Sequence, residues 1–268
     1  MNQALSHITL PFILFLFFGI TLPSMAQEST LRILSYNIYH GENPNVPGEP
    51  NLDSIAQLII EINPDVVALQ EVDSMTERTA RIYGKKLNLI EELAKKTGLE
   101  GYFSKAMDYS EGGYGEGLLV KKSDEFLSQK LPIPAGGEPR AAAWALSDFE
   151  GKSIWIGGTH LCHQFQENRI AQVQALQKFA LEKSHPIIWL GDLNFSPEDK
   201  EYKYINAAFL DAAFMSQDNS PTYQSTPHEG RIDYVWYTGD DFELIHYEVI
   251  PVFYSDHFPV LVELKLKN

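Results

Sequence analysis

The chain has 268 residues, with 36 Asp plus Glu against 21 Lys plus Arg, 44% hydrophobic residues and 1 cysteine. That length allows one large domain or two small ones with a sizeable core, and the composition excludes a disordered, collagen-like or disulfide-stapled chain. A net charge of -15 argues against broad electrostatic capture of nucleic acid, since phosphate is repelled unless cations gather locally.

Ile8 to Leu22 is almost wholly apolar and is followed by Ser24 and Ala26. The run is short for a bilayer-spanning helix, which needs about 20 residues. Small residues at the two positions a signal peptidase reads predict a leader over 1–26, cleaved after Ala26. A retained anchor is the alternative, because no Lys or Arg precedes the run. The mature chain, 27–268, is thus expected in the periplasm or outside the cell, with no stable membrane association. Cys162 stands alone, so no intramolecular disulfide can form even there.

Leu31–Ile38 reads as a strand. Asn51 could cap a helix to Ile62, with Leu52, Ile55, Leu58, Ile59 and Ile62 on one face and Pro64 as its stop. Asp65–Leu69 reads as a fully buried strand. Lys85–Thr97 is a second amphipathic helix closed by Gly98, and Glu111–Gly117 a glycine-rich turn. Strands follow at Leu118–Lys121, Ala141–Ser147 and Ile154–Thr159. Phe165–Leu181 is helical, with Ile170, Val173, Leu176 and Leu181 available to a core. Pro186–Leu190, Ile232–Tyr237, Phe242–Ile250 and Val260–Leu266 complete the strands. There is no repeat, heptad pattern or low-complexity linker. Strands outnumber helices too heavily for a doubly wound sheet, which predicts one α/β domain of two packed sheets with helices outside. Oligomeric state is not legible.

Polar residues sit where an apolar core would not choose them. Ser35-Tyr36-Asn37 closes one strand, Gln70-Glu71 another and Thr159-His160 a third. Gly191-Asp192-Leu193-Asn194 follows a fourth, Arg231-Ile232-Asp233 opens a fifth, and Ser255-Asp256-His257 precedes the last. One such case is a cap or turn. Six would crowd carboxylates at strand ends, which costs several kcal/mol unless a cation or protons compensate.

The segments SYNI, LQEVD, GTHL, WLGDLN, RIDYVW and YSDHFPV resemble, in order, the signature blocks of the endonuclease/exonuclease/phosphatase superfamily. The resemblance spans Leu31 to Leu266. It implies a four-layer α-β-β-α sandwich and hydrolysis of a phosphate ester with Mg²⁺ or Mn²⁺. Glu71 and Asp256 would supply carboxylates and Asn37 a neutral oxygen to the metal, a donor set that suits a hard cation. His257, oriented by Asp233, would act on phosphate or the attacking water. Asp192 would orient or deprotonate that water, and Asn194 would donate to a nonbridging oxygen. The two alternate across Leu193, so on extended backbone they share a side. His160 resembles a histidine that stabilises phosphoryl charge or protonates the leaving group.

Glu116 occupies a place where deoxyribonucleases carry a glutamate paired with the catalytic histidine, which makes it a candidate partner of His160. A solvated loop carboxylate is the other reading. Arg140 could clamp phosphate with two donors, or serve only in a surface salt bridge. Cys162 and His163 lack a second ligand pair, which argues against zinc. Lys85-Lys86, Lys95-Lys96 and Lys121-Lys122 form no stripe interleaved with aromatics. A small phosphoester such as a sugar phosphate, nucleotide or inositol phosphate is therefore the expected substrate. Nuclease activity, lipid phosphodiesterase activity and a noncatalytic binding role are the alternatives.

Overall fold

A computed structural model of the chain describes residues 30–224 and 230–267, and the leader expected over 1–26 lies outside them. Two sheets of six strands pack face to face. The first holds β1 (Leu31–Asn37), β2 (Val66–Ser74), β3 (Glu100–Tyr109), β4 (Gly112–Val120), β11 (Phe242–Val249) and β12 (Val260–Leu266). Its order is β11-β12-β1-β2-β4-β3. The second holds β5 (Glu125–Leu131), β6 (Arg140–Phe149), β7 (Lys152–His160), β8 (Ile187–Asp192), β9 (Leu210–Asp211) and β10 (Asp233–Tyr237). Its order is β5-β6-β7-β8-β10-β9. The helices are α1 (Leu52–Ile62), α2 (Glu77–Tyr83), α3 (Leu89–Thr97), α4 (Gln166–Leu181), α5 (Lys200–Ile205) and α6 (Ala212–Ser216). Among the described residues no helix is long and apolar enough to cross a membrane.

Alternation along the strands builds the layers. Ile33, Val66, Ala68, Leu118 and Val120 of one sheet meet Ala143, Ile154, Ile156, Ile188 and Val235 of the other in the central core. Their neighbours in sequence point outward. Leu34, Tyr36, Val67, Leu69 and Leu119 pack under α1 and α3. Trp144, Trp189 and Trp236 pack under α4 and α5. The result is the expected four-layer sandwich.

Some expectations fail for identifiable reasons. The EGGYGEG segment is not a turn but most of β4. A β-carbon at Gly117 would overlap the Ile90 side chain of α3, so this glycine serves close helix–sheet approach rather than bending. Lys85–Thr97 is helical only from Leu89, because Asn88 caps it by accepting from the Ile90 amide at 3.2 Å. Asn51 precedes α1, but its amide donates to the Tyr254 carbonyl at 2.6 Å instead of capping. Leu181 is exposed at the end of α4, whereas the polar Asn168 and Gln172 are buried. β3, β5, β9, α2, α5 and α6 were not anticipated. The first two strands alternate weakly, and the rest are seven residues or fewer.

Candidate active site

Two crossovers bring the site together. β1 runs parallel to β2 with α1 between them in sequence, and β7 runs parallel to β8 with α4 between. Parallel neighbours present their carboxyl ends on one side. Asn37 ends β1 opposite Gln70 in the next strand, and His160 ends β7 opposite Asp192 at the end of β8. Asp233 starts β10, antiparallel to β8, and also faces Asp192 in register. Asp256 and His257 precede β12, which runs antiparallel to β1 and so begins where β1 finishes.

Local backbone distortions then aim the side chains. Glu71 does not follow β2, as expected, but sits inside it with φ +58°, where the pairing register with β4 breaks. Such a bulge re-aims one side chain out of the alternating pattern. Gly191 has φ +144°, and a β-carbon there would overlap the Thr159 carbonyl, so only glycine permits this approach to Asp192. The segment after it is not extended. β8 stops at Asp192 and Asn194 is left-handed at φ +53°. A tight turn, closed by Asn194 N–H donating to Asp192 Oδ1 at 3.0 Å, is what holds both residues at one cleft.

That cleft has a volume of about 350 Å³ and is lined by Glu71, Arg140, His160, Asp192, Asn194, Asp256 and His257, among others. The two carboxylates proposed for metal thus face one cavity. A larger depression of about 680 Å³ lies over Met75, Phe103 and Tyr109. Its acids, Asp108 and Glu111, are solvent-exposed, and it lacks the site's buried cluster.

Asp192 is the hub. Its Oδ2 accepts from Asn37 Nδ2 at 3.1 Å and lies 3.2 Å from His160 Nε2 and 3.6 Å from His257 Nε2. Asn37 Oδ1 accepts the Tyr39 amide at 3.1 Å, which turns Nδ2 toward Asp192 and Glu71 Oε1. Asn37 therefore bridges two carboxylates as a donor. The oxygen expected to ligate metal is engaged by backbone.

The two histidines differ. Arg140 is only 2% exposed, so it is no surface salt bridge. Its Nη1 lies 2.9 Å from Glu138 and 3.2 Å from His160 Nδ1, and its Nη2 lies 3.1 Å from His163 Nδ1. Arginine stays protonated, so both Nδ1 atoms accept, and His160 is neutral with its hydrogen on Nε2. Burial and then Arg140 push the His160 pKa well below its ordinary value. A neutral His160 can give its Nε2 hydrogen to a hydrogen bond but holds no second ring proton to release. Asn194 Nδ2, 2.9 Å from that Nε2, meets a proton there. It donates one hydrogen to the Leu161 carbonyl at 3.1 Å and has the other for an incoming oxygen.

His257 Nδ1 donates to Asp233 Oδ2 at 2.9 Å. Burial opposes its charge, but Asp233 and Asp192 outweigh that and push its pKa up to about 10. Asp192 itself is raised, by burial first and by the Asp233 and Glu71 carboxylates after it.

Glu116 forms no pair with His160. It is fully buried behind the cleft wall, and neither carboxyl oxygen has a hydrogen-bond partner among the described residues. Nor is it solvated. Burial lifts its pKa well above the usual carboxylate range, so it is a neutral carboxyl near Arg140.

The donor chemistry fits a divalent cation. Burial alone would raise Glu71, yet its polar neighbours, the Asn37 amide and the charged His257 among them, hold it down at about 2. Asp256 is raised by burial, with Glu71 adding to it, and Asp233 Oδ1 is buried without a partner among the described residues. Such an excess of converging carboxylates is what a dication compensates. Asp192, Asp233 and His257 also place ligand atoms within 4.8 Å of one another. In that trio Asp192 Oδ2 and the His257 ring are already engaged internally, which favours Glu71 and Asp256 as the ligands.

Sequence reasoning missed Tyr114, Glu138 and Tyr223 in the cleft wall. Glu138 stands two residues before Arg140, and that i, i+2 spacing was an available signal. Tyr223 packs tilted against the His257 ring, centroids 4.7 Å apart, and nothing local in the sequence announces it.

The model of the Endonuclease/Exonuclease/phosphatase family matches residues 34–257. No curated protein matches. Among solved structures, an endonuclease/exonuclease/phosphatase from Beutenbergia cavernae superposes with TM-score 0.74 at 22% identity, covering 89% of this chain and 72% of that one. A mannosyl-6-phosphatase from Bacteroides thetaiotaomicron gives 0.68 at 18%, covering 87% and 99%. The human Nocturnin catalytic domain, with bound sulfate, gives 0.67 at 18%, covering 89% and 95%. With six sequence blocks on one cleft and a family match across most of its length, the chain belongs to the endonuclease/exonuclease/phosphatase family, whose members are divalent-metal-dependent phosphoester hydrolases.

Proposed function

We propose that this chain is an exported hydrolase of small phosphate esters, with sugar phosphates, nucleotides and inositol phosphates as its substrate class. The observation that carries the proposal is the cleft itself. It holds about 350 Å³, its one arginine is already opposed by Glu138, its charged His257 is paired with Asp233, and its remaining acids are Glu71, Asp192 and Asp256. A polymer's successive phosphates need a row of cations, which this wall does not offer. The mannosyl-6-phosphatase of similar fold is consistent with a sugar phosphate. The apolar run Ile8 to Leu22, followed by Ser24 and Ala26, supports export.

When bound at Glu71 and Asp256, the cation supplies Lewis-acid polarisation of a phosphoryl oxygen and offsets charge on the leaving oxygen. The chain's own groups do the rest. Asp192, its affinity for a proton raised, accepts one from the attacking water. His160 Nε2–H and the free Asn194 Nδ2–H donate to equatorial oxygens. His257, held by Asp233, carries a second ring proton that it can donate across the cleft. Groups whose affinities are pushed apart mark base and acid.

The test is turnover by the mature protein, with Mg²⁺ or Mn²⁺, on a panel of sugar phosphates, nucleotides, inositol phosphates, bis-p-nitrophenyl phosphate and single-stranded DNA. Cleavage of small esters with DNA untouched is expected. DNA cleaved faster than every small ester would replace this reading with a nuclease. Removal of residues 1–26 on export from a host cell, read by mass, tests the location.

A further inference from the structure

Behind Glu71 stands an imidazole that the mechanism above does not use. His40 follows Asn37 by three residues, in a short 3₁₀ turn, Tyr39–Gly41. It is 7% exposed and left-handed at φ +45°, after a left-handed Tyr39 at φ +46°. Two successive non-glycine residues in that region cost about 1–3 kcal/mol each, and persist only where the surroundings impose them. Here they do. The Gly41 carbonyl accepts from Tyr83 Oη at 2.5 Å, and Glu42 Oε1 accepts from the Gly48 amide at 2.6 Å.

The ring's two nitrogens have different fates. Nε2 lies 3.0 Å from Glu42 Oε2, so it donates its hydrogen there. In the neutral ring Nδ1 then carries the lone pair, and it is buried with no hydrogen-bond partner among the described residues. It faces Glu71 Oε2 at 3.8 Å. A lone pair aimed at an ionised carboxylate is repelled unless something positive lies between. The separation exceeds hydrogen-bond reach but lies inside the span of about 4.2 Å open to two ligands of one ion, each about 2.1 Å from it. An imidazole whose far N–H is held by a carboxylate is also the usual arrangement of a metal-bound histidine.

We propose that His40 Nδ1 is a nitrogen ligand to a divalent cation on Glu71 Oε2, oriented by Glu42. This rests on the reading that Glu71 binds metal. A nitrogen donor beside carboxylates shifts preference from Mg²⁺ toward Mn²⁺, Co²⁺ or Zn²⁺.

The experiment is metal titration of the full mature protein, with Co²⁺ followed by its visible absorption and Mg²⁺ followed by calorimetry. His40→Asn is the variant of choice, since asparagine adopts left-handed backbone readily. It is expected to weaken Co²⁺ about 100-fold, change the Co²⁺ spectrum, and weaken Mg²⁺ less than about 3-fold. Glu42→Ala is expected to weaken Co²⁺ about 10-fold. Wild type that binds Co²⁺, with an unchanged spectrum and affinity in His40→Asn, would overturn the ligand and leave an imidazolium–Glu71 ion pair. Wild type and Glu71→Gln binding Co²⁺ equally would overturn the metal reading of Glu71 and this proposal with it. Circular dichroism of His40→Asn guards against an unfolded variant, and the Glu42→Ala spectrum gives an independent answer.

Discussion

The Arg140 side and the Asp233 side of the cleft each hold a histidine beside the same Asp192 oxygen, at 3.2 and 3.6 Å, and treat it oppositely. On one side a buried guanidinium claims Nδ1 and keeps His160 neutral. On the other a carboxylate takes the Nδ1 proton and holds His257 charged up to about pH 10. Both rings are almost fully buried. Burial alone would make both neutral, so the nearest charge decides. One cleft thereby has a ring that donates a hydrogen bond without titrating and a ring that carries a spare proton.

Changing the shared hub should do most damage. Asp192→Asn is expected to lower kcat about 10³-fold, or about 4 kcal/mol in the barrier, with KM nearly unchanged. Steady-state kinetics on the best small ester checks this. Asp233→Asn breaks only one side. It is expected to lower kcat about 100-fold and move the His257 pKa down toward its ordinary value. Histidine ring chemical shifts followed against pH would report that movement, and an unmoved His257 would break the contrast.

Arg140→Gln attacks the other side. Its removal frees His160 Nδ1 and leaves Glu138 unopposed, so kcat/KM is expected to fall about 30-fold and the His160 pKa to rise. These charge relations were legible only in part. Asn37, Glu71, His160, Asp192, Asp233, Asp256 and His257 could be read as strand-end residues because polar side chains there defy an apolar core. Their partners could not. The Glu116–His160 pair failed because β4 places Glu116 behind the wall, and Arg140, anchored at the start of β6, takes the histidine nitrogen instead. The role of Asn37 turned on one backbone amide, Tyr39 N–H, which no residue pattern encodes. Of the fold, long strands with apolar runs such as PIIWL were visible. The glycine-laced start of β4, before Leu118, was not, because close approach to α3 and bending use the same residue.

Metal-free protein sharpens the contrast further. His257 has its pKa raised above the unfolded value of about 6.5, so its contribution to stability is full below that pH. It is lost as pH rises toward about 10. Asp192, also raised, acts with the same sign at lower pH. Thermal denaturation in chelator is expected to show Tm falling by about 5 °C or more between pH 6.5 and 10. The fall should shrink in Asp233→Asn. Glu116→Gln should change least, under about 1 kcal/mol in urea unfolding, because a neutral buried carboxyl and an amide are near isosteres.

The most direct test of the account is anomalous scattering from a crystal of the protein grown with Mn²⁺. A peak about 2.1 Å from carboxylate oxygens of both Glu71 and Asp256 is expected. A peak seated instead among Asp192, Asp233 and His257, or none at saturating Mn²⁺, would contradict the assignment of metal and base to separate carboxylates.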